Sequence, residues 1–122
     1  MTKLINLHTH KFSNLSDVIE VVNQYPWEFD ASIPNYSIGI HPWYIDENRL
    51  ESDLEIIKEK LQLSECLALG ECGLDKRIEI PLDLQISVFK KQLEIVRLTN
   101  KPTVLHCVAA YDEVIAIKKE MK

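Results

Sequence analysis

The sequence lacks several features that would direct it to a membrane or to an oxidising compartment. No apolar run approaches the roughly 20 residues that a membrane-spanning helix needs, and the N-terminus shows no charged-then-apolar signal pattern. The cysteines, Cys66, Cys72 and Cys107, are odd in number and include no C-x-x-C pair. A reduced, cytoplasmic protein without a membrane partner is therefore the simplest expectation.

Clustered positive charge is also absent. The chain has 14 Lys and Arg against 19 Asp and Glu, a net charge of -5 and a pI of about 5.3. Nonspecific binding of nucleic acid by counterion release needs a basic patch, so a polyanionic substrate would have to be attracted locally, for example by metal ions. The 122 residues, 46% of them hydrophobic, suit a single domain with a real core.

Five short apolar runs followed by turn residues predict β-strands. They cover residues 4–10, 18–23, 36–41, 66–71 and 103–106. Helical spacing of apolar residues predicts helices over 47–63, 81–100 and 112–122, the last with Asp112 as a plausible N-cap. The run at 18–23 also fits a helical period, although a strand is preferred. Strands that alternate with helices indicate an α/β fold with a parallel sheet.

The ionisable residues follow a regular pattern, because each of five ends or follows one of these apolar runs. They are all four histidines and one glutamate: His8, His10, His41, Glu71 and His106. The strands of a parallel sheet run the same way, so these side chains should meet at its carboxyl edge, where α/β proteins place their active sites. His8 and His10 are two apart and should share one face of their strand.

Imidazoles gathered around a carboxylate usually bind a divalent metal ion. Taken singly, each residue has a simpler interpretation. His41 could be a loop histidine, Glu71 a helix cap or ion-pair partner, and His106 a core histidine bonded to backbone. The shared placement of all five favours a metal site over those separate explanations.

The cysteines offer a second possible ligand set. Cys72 and Cys107 each directly follow a proposed ligand, so alternation along a strand turns them to the opposite face. We therefore expect them to pack as small hydrophobic side chains and not to bind zinc.

Two other groups keep two interpretations each. The aromatic residues Trp27, Trp43 and Tyr44 could line a substrate cleft or pack around the mouth of a barrel. Lys76 and Arg77 could meet a phosphate or form a solvated surface pair.

Five segments in order resemble motifs of the TatD family of metal-dependent deoxyribonucleases. They are the H-x-H at residues 7–10, G-I-H-P-W within 37–43, G-E-C-G-L-D within 68–75, Q-x-x-x-F-x-x-Q at 85–92 and K-P-T-V-L-H-C at 101–107. The resemblance covers nearly the whole chain. It implies a partial TIM barrel holding about five of the eight strands, the N-terminal part of such an enzyme.

The resemblance also implies a site and a reaction. His8 and His10 would bind one metal ion, Glu71 would bridge two, and His106 would bind the second. Glu71 and His41 would be the catalytic residues, with His41 near the substrate. The implied function is hydrolysis of phosphodiester bonds, in DNA or a smaller diester, by two divalent ions such as Zn, Mn or Mg.

The sequence departs from the family pattern at three places. Asn6 stands where the family often has Asp, and Val108 where many members have Arg. A further His and a late Asp, on later strands of the family barrel, have no counterpart. We therefore expect a fragment with little turnover, or a half-barrel completed by self-association. The alternatives are an inactive assembly module and a related amidohydrolase or phosphoesterase.

Overall fold

The computed structural model describes residues 4–121, and within them five parallel strands form one sheet. The strands are β1 (Leu4–Thr9), β2 (Val18–Gln24), β3 (Tyr36–Ile38), β4 (Cys66–Asp75) and β5 (Thr103–Val108). They lie side by side in chain order, and each neighbouring pair is parallel. Sequential parallel strands joined by helices are the arrangement of a TIM barrel. The curled sheet is part of such a barrel, which confirms the predicted fold class.

Three helices cover the sheet: α1 (Leu50–Leu61), α2 (Leu82–Val96) and α3 (Tyr111–Glu120). Short 3₁₀ turns at Pro26–Glu28 and Pro42–Tyr44 complete the connections. The core lies between helices and sheet, where burial of apolar side chains drives folding. Its fully buried members include Ile38, Ile40, Ile57, Leu61, Leu69, Leu74 and Val88. No helix within residues 4–121 is long and apolar enough to cross a bilayer.

The helix starts differ from those that the sequence predicts. Helix α1 begins at Leu50 because Asp46 forms a turn first, accepting hydrogen bonds from the backbone N–H of Asn48 and of Arg49. The expected cap at Asp112 was wrong, since α3 begins one residue earlier at Tyr111 without a side-chain cap. Residue 122, which the predicted helix included, lies outside the described part of the chain.

The strands also differ in their ends. The ambiguous run at 18–23 is indeed a strand, β2. Glu71 lies inside β4 and not at its end, because a register shift between Gly70 and Cys72 lets the pairing with β5 continue to Asp75. His41 lies beyond the end of β3 and caps the 3₁₀ turn at Pro42–Tyr44.

Gly73 lets β4 and β5 approach closely beside the site. Its φ is +149°, which L side chains rarely adopt, and a Cβ there would collide with the backbone carbonyl of His106. The close approach sets the position of His106 relative to Glu71 in the adjacent strand.

We predict that Gly73→Ala lowers the free energy of unfolding by at least ~2 kcal/mol. The positive φ alone costs about 1–2 kcal/mol for a residue with a Cβ, and the collision adds to it. Urea unfolding of the two proteins measures the difference. Ala109, with a φ of 56°, is the matched control, because Ala109→Gly removes such a strain and should not destabilise the protein. A Gly73→Ala variant as stable as the parent would contradict the account of this close approach.

Candidate metal centre

Four imidazoles surround the carboxylate of Glu71. The Nε2 atoms of His8, His10 and His41 lie 3.5, 3.6 and 3.9 Å from Glu71 Oε1. His106 approaches from the other side, with Nδ1 3.3 Å from Glu71 Oε2. One oxygen of the carboxylate therefore faces three imidazoles and the other faces a fourth, although the residues come from separate parts of the chain.

The arrangement contains two overlapping groups of possible metal ligands. One is His8, His10 and Glu71, the other is His41, Glu71 and His106, and the ligand atoms of each group lie within 4.8 Å of one another. Nδ1 of His8 is buried without a hydrogen-bond partner within residues 4–121. Neutral imidazoles and a carboxylate are the ligands that zinc and similar divalent ions take, so the donor set fits such ions.

All five residues predicted from the sequence are therefore brought together at one place. His8 and His10 face the same way, as their spacing predicts. Asn6, the departure at the start of the motif, accepts a hydrogen bond from the His8 N–H at 3.3 Å. The roles of the five residues as ligands or catalysts stay predictions at this point.

Asp75 contacts the ring nitrogen of His106 that faces away from Glu71, a role that the sequence did not reveal. His106 Nε2 lies 2.9 Å from Asp75 Oδ2, which also accepts a hydrogen bond from Trp43 Nε1 at 2.8 Å. Burial alone would raise the pKa of Asp75, but hydrogen bonds from Arg77, His106 and Trp43 outweigh burial and hold that pKa below its usual range. An ionised Asp75 fixes the proton of a neutral His106 on Nε2, which leaves the Nδ1 lone pair facing Glu71.

His41 has the same tautomer as His106 but the opposite orientation, because its Nε2 and not its Nδ1 faces Glu71. Its Nδ1 accepts a hydrogen bond from the backbone N–H of Trp43 at 3.1 Å. Burial, together with the nearby His106, lowers the pKa of His41 to about 4, so the ring is neutral near pH 7. A neutral imidazole carries one proton, which must then lie on Nε2, on the side of Glu71.

Asn23 is a further residue that the sequence analysis missed. Its Oδ1 accepts hydrogen bonds from the backbone N–H of Glu71 and from Ser37 Oγ, and the side chain is buried. Asn23 ends an apolar run as the histidines do, but its amide is not ionisable. The signal that identifies it is any polar residue at the end of a buried run, whether ionisable or not.

Two glutamines of α2 tie the loops of the site to the helix layer. Gln85 accepts from the backbone N–H of Asp75 at 2.8 Å and donates to its carbonyl at 3.0 Å. Gln92 does the same for Ile40, the residue before His41, at 2.8 and 3.3 Å. Each buried amide satisfies backbone groups that would otherwise lack partners, which explains the spacing of the Q-x-x-x-F-x-x-Q motif.

The structure shows the partners of Lys76 and Arg77 and the surroundings of the cysteines, for which the sequence left two interpretations. Lys76 pairs with Glu113 at 2.5 Å and Arg77 with Asp75 at 3.3 Å, so each cation already has a carboxylate partner. Cys72 is fully buried in the core and Cys107 packs against it, as predicted from strand alternation.

The sequence matches the model of one protein family along its whole length. The family is described as TatD related DNase, and the match covers residues 1–122. The chain belongs to this family. The resemblance seen in the five motifs is thereby confirmed.

Curated relatives from three organisms agree with this membership. The chain is similar to the uncharacterized metal-dependent hydrolase YabD of Bacillus subtilis (strain 168), at 32% identity over 87% of this chain and 39% of that protein. It is 35% identical to the 3'-5' ssDNA/RNA exonuclease TatD of Erwinia billingiae (strain Eb661), over 65% of this chain and 30% of the relative. The 3'-5' RNA nuclease TATDN2 of Homo sapiens is 30% identical over 69% of this chain and 11% of its own length.

A solved structure shows the same fold. The crystal structure of YJJV, a TatD homolog from Escherichia coli k12, superposes with a TM-score of 0.78 at 19% identity, over 96% of this chain and 55% of that one. The chain thus spans well under half the length of the curated relatives that it matches, and about half of the solved barrel.

We predict that Asp75→Asn weakens Mn²⁺ affinity about 10- to 100-fold, the usual cost of losing an outer partner of a ligand. Donor groups of three residues, Arg77, His106 and Trp43, face this carboxylate, so the Nδ2 of an asparagine would point at another donor and release His106. Isothermal titration calorimetry measures the change. Asp83→Asn, at an exposed aspartate in the first turn of α2, is the control and should leave affinity unchanged. Equal Mn²⁺ affinities of the Asp75→Asn variant and its parent would show that Asp75 does not support metal binding.

Proposed function

We propose that the site takes part in metal-dependent hydrolysis of phosphodiester bonds, with DNA or a smaller diester as substrate. The observation that carries this proposal is the shared carboxylate of Glu71, whose Oε1 faces His8, His10 and His41 and whose Oε2 faces His106. Membership of a family whose relatives are named as hydrolases and nucleases supports it. Residues 1–122 would act as one domain, the N-terminal portion of a TatD-like barrel.

We assign the metal ligands by the direction of their lone pairs. His8 and His10 would hold one divalent ion together with Glu71 Oε1. His106 Nδ1 would hold a second together with Glu71 Oε2, because Asp75 keeps the proton on the other ring nitrogen. Bound divalent ions would polarise the phosphoryl oxygens and lower the pKa of the attacking water.

His41 would act as a hydrogen-bond donor and not as a ligand. Its Nδ1 is already occupied by the Trp43 N–H, and its Nε2 carries the proton. A neutral N–H donor beside the carboxylate can stabilise a non-bridging phosphoryl oxygen as negative charge develops there. This assignment keeps the predicted catalytic role of His41 and separates it from the ligand set, although its nitrogen lies near both groups.

The surroundings of Glu71 suit a reaction in which charge develops in the transition state. The Glu71 side chain is only 16% exposed, and Asn23 fixes its backbone N–H. Preorganised groups in a partly dry cavity act more strongly on developing charge than the same groups in water, because they need not reorganise during the reaction.

We predict that Glu71→Gln reduces Mn²⁺ affinity by more than about 100-fold and abolishes metal-dependent cleavage of a single-stranded oligonucleotide. The glutamine keeps the shape of the side chain but loses the charge that both ions would share. This loss should exceed the roughly 10- to 100-fold effect of an outer partner. Titration calorimetry gives the affinity and the number of ions, and gel analysis gives cleavage.

Glu65→Gln is the control, since Glu65 is exposed just before β4 and lies outside both ligand groups. It should bind two ions per chain like the parent. A panel that adds a small phosphate ester and an amide tests the substrate class. Two findings would contradict the proposal: unchanged metal binding in Glu71→Gln, or metal-dependent cleavage of the amide but not of the diesters.

A further inference from the structure

An open cavity of about 640 Å³ contains His10, His41, Glu71 and His106 in its wall. Beside these residues the wall carries three aromatic rings, Tyr25, Trp43 and Tyr44, which we call the aromatic wall. Trp43 and Tyr44 are 47% and 43% exposed, which is unusual for large aromatic side chains. Both rings adjoin the candidate metal centre, with centroids 5.0 and 5.4 Å from that of His41.

The rings of the aromatic wall are held in place. Trp43 is fixed through the hydrogen bond from its Nε1 to Asp75. Tyr44 is braced edge-to-face, its ring centroid 5.4 Å from Tyr25 and 6.4 Å from Trp43. Two open rings that cost little entropy to order are a suitable surface for a flat ligand.

Trp27, the other tryptophan, does not belong to this surface. Tyr25 stacks on its ring at 4.9 Å with an interplanar angle of 4°. The guanidinium of Arg49 lies 4.1 Å from the ring centroid, in a cation–π contact. Tyr25 and Arg49 thus already contact the Trp27 ring. The cleft-lining role, which the sequence left open for three aromatic residues, therefore applies to Trp43 and Tyr44.

The charges around the cavity decide which flat ligand fits. Three of the described residues that line it carry carboxylates, Glu28, Asp30 and Glu71, and none is Lys or Arg. A nucleic acid gains nothing here from the phosphate–cation contacts that usually supply its affinity. Its base can still gain about 1–3 kcal/mol by stacking on an aromatic ring, which is independent of charge.

The distances from Trp43 to the histidines would place a stacked base next to the phosphate that reacts at Glu71. The Trp43 ring centroid lies 5.0 Å from that of His41 and 5.7 Å from that of His106. A base on the aromatic wall would thus belong to a nucleotide adjoining the phosphate at Glu71. Bases of a duplex are already stacked and paired, so an unpaired nucleotide is required.

We propose that Trp43 and Tyr44 form a nucleobase-stacking subsite that holds the unpaired base next to the scissile phosphodiester. This inference rests on the proposed function, since it gives that site its recognition element. The subsite makes the base, and not the backbone charge, the main non-metal source of affinity. Diesters without a base should then be bound poorly.

The test compares two labelled tetranucleotides with non-hydrolysable phosphorothioate linkages, one intact and one with abasic residues throughout. Fluorescence anisotropy measures their affinities with Mg²⁺ and with chelator. The parent should prefer the intact strand roughly 5- to 150-fold, the range that stacking of one base gives. Tyr44→Ala should remove most of this preference without weakening the abasic strand further.

Two further variants separate stacking from folding and from the Asp75 contact. Trp43→Phe keeps a ring but loses the hydrogen bond to Asp75, so it should retain the preference for the intact strand, whereas Trp43→Leu should lose it. Tyr111→Ala removes a ring that is 68% exposed but lies outside the cavity wall, and should behave like the parent. Circular dichroism confirms that each variant is folded.

The outcomes distinguish this inference from the proposed function. Equal affinity of the parent for intact and abasic strands would overturn the subsite, as would an undiminished preference in Tyr44→Ala or tighter binding of a duplex. Cleavage of an ordinary abasic phosphodiester strand with Mn²⁺ would still support the proposed function. Base-dependent binding without any metal-dependent cleavage would support the subsite and contradict the proposed function.

Discussion

A single carboxylate, that of Glu71, organises the open mouth of this half-barrel. Four imidazoles lie 3.3–3.9 Å from its two oxygens. Protonated imidazoles at such distances would repel one another, and neutral ones without partners would be costly to bury. Burial and the neighbouring His106 already keep His41 neutral by lowering its pKa to about 4. Cations between the members of the cluster would reduce both costs, which links the packing of the site to its proposed chemistry.

The surroundings of Glu71 are built to fix each of these groups. Asn23 holds the Glu71 backbone, Asp75 sets the tautomer of His106, and the Trp43 N–H sets the tautomer of His41. Gln85 and Gln92 attach the same loops to α2. The G-E-C-G-L-D segment gains a physical explanation from this arrangement. Gly73 permits the close approach of β5, Leu74 fills the core, and Asp75 orients His106 on the neighbouring strand.

Much of the fold and the meeting of the site residues could be predicted, because both depend on local patterns. Apolar runs alternating with helical periods specify a parallel sheet, and polar residues after those runs meet at one edge. The helix start at Tyr111 and the continuation of β4 past Glu71 could not be predicted. Helix α3 starts without a side-chain cap that the sequence could signal, and β4 continues through a register shift that tertiary pairing decides. Asn23 was missed because it is not ionisable, although it ends an apolar run as the histidines do. The role of Asp75 depends on a hydrogen bond to His106, 31 residues away, at the last position of β4, which no apolar run marks.

Anomalous diffraction from crystals soaked in Mn²⁺ shows directly whether Glu71 would bridge two cations, as we propose. Two peaks about 3.5–4 Å apart are expected, the usual spacing of two-metal hydrolytic sites. One peak should lie among His8, His10 and Glu71, and the other against Glu71 and Nδ1 of His106. A single peak bound without Glu71, or no peak among these side chains at saturating Mn²⁺, would show that Glu71 does not bridge two cations.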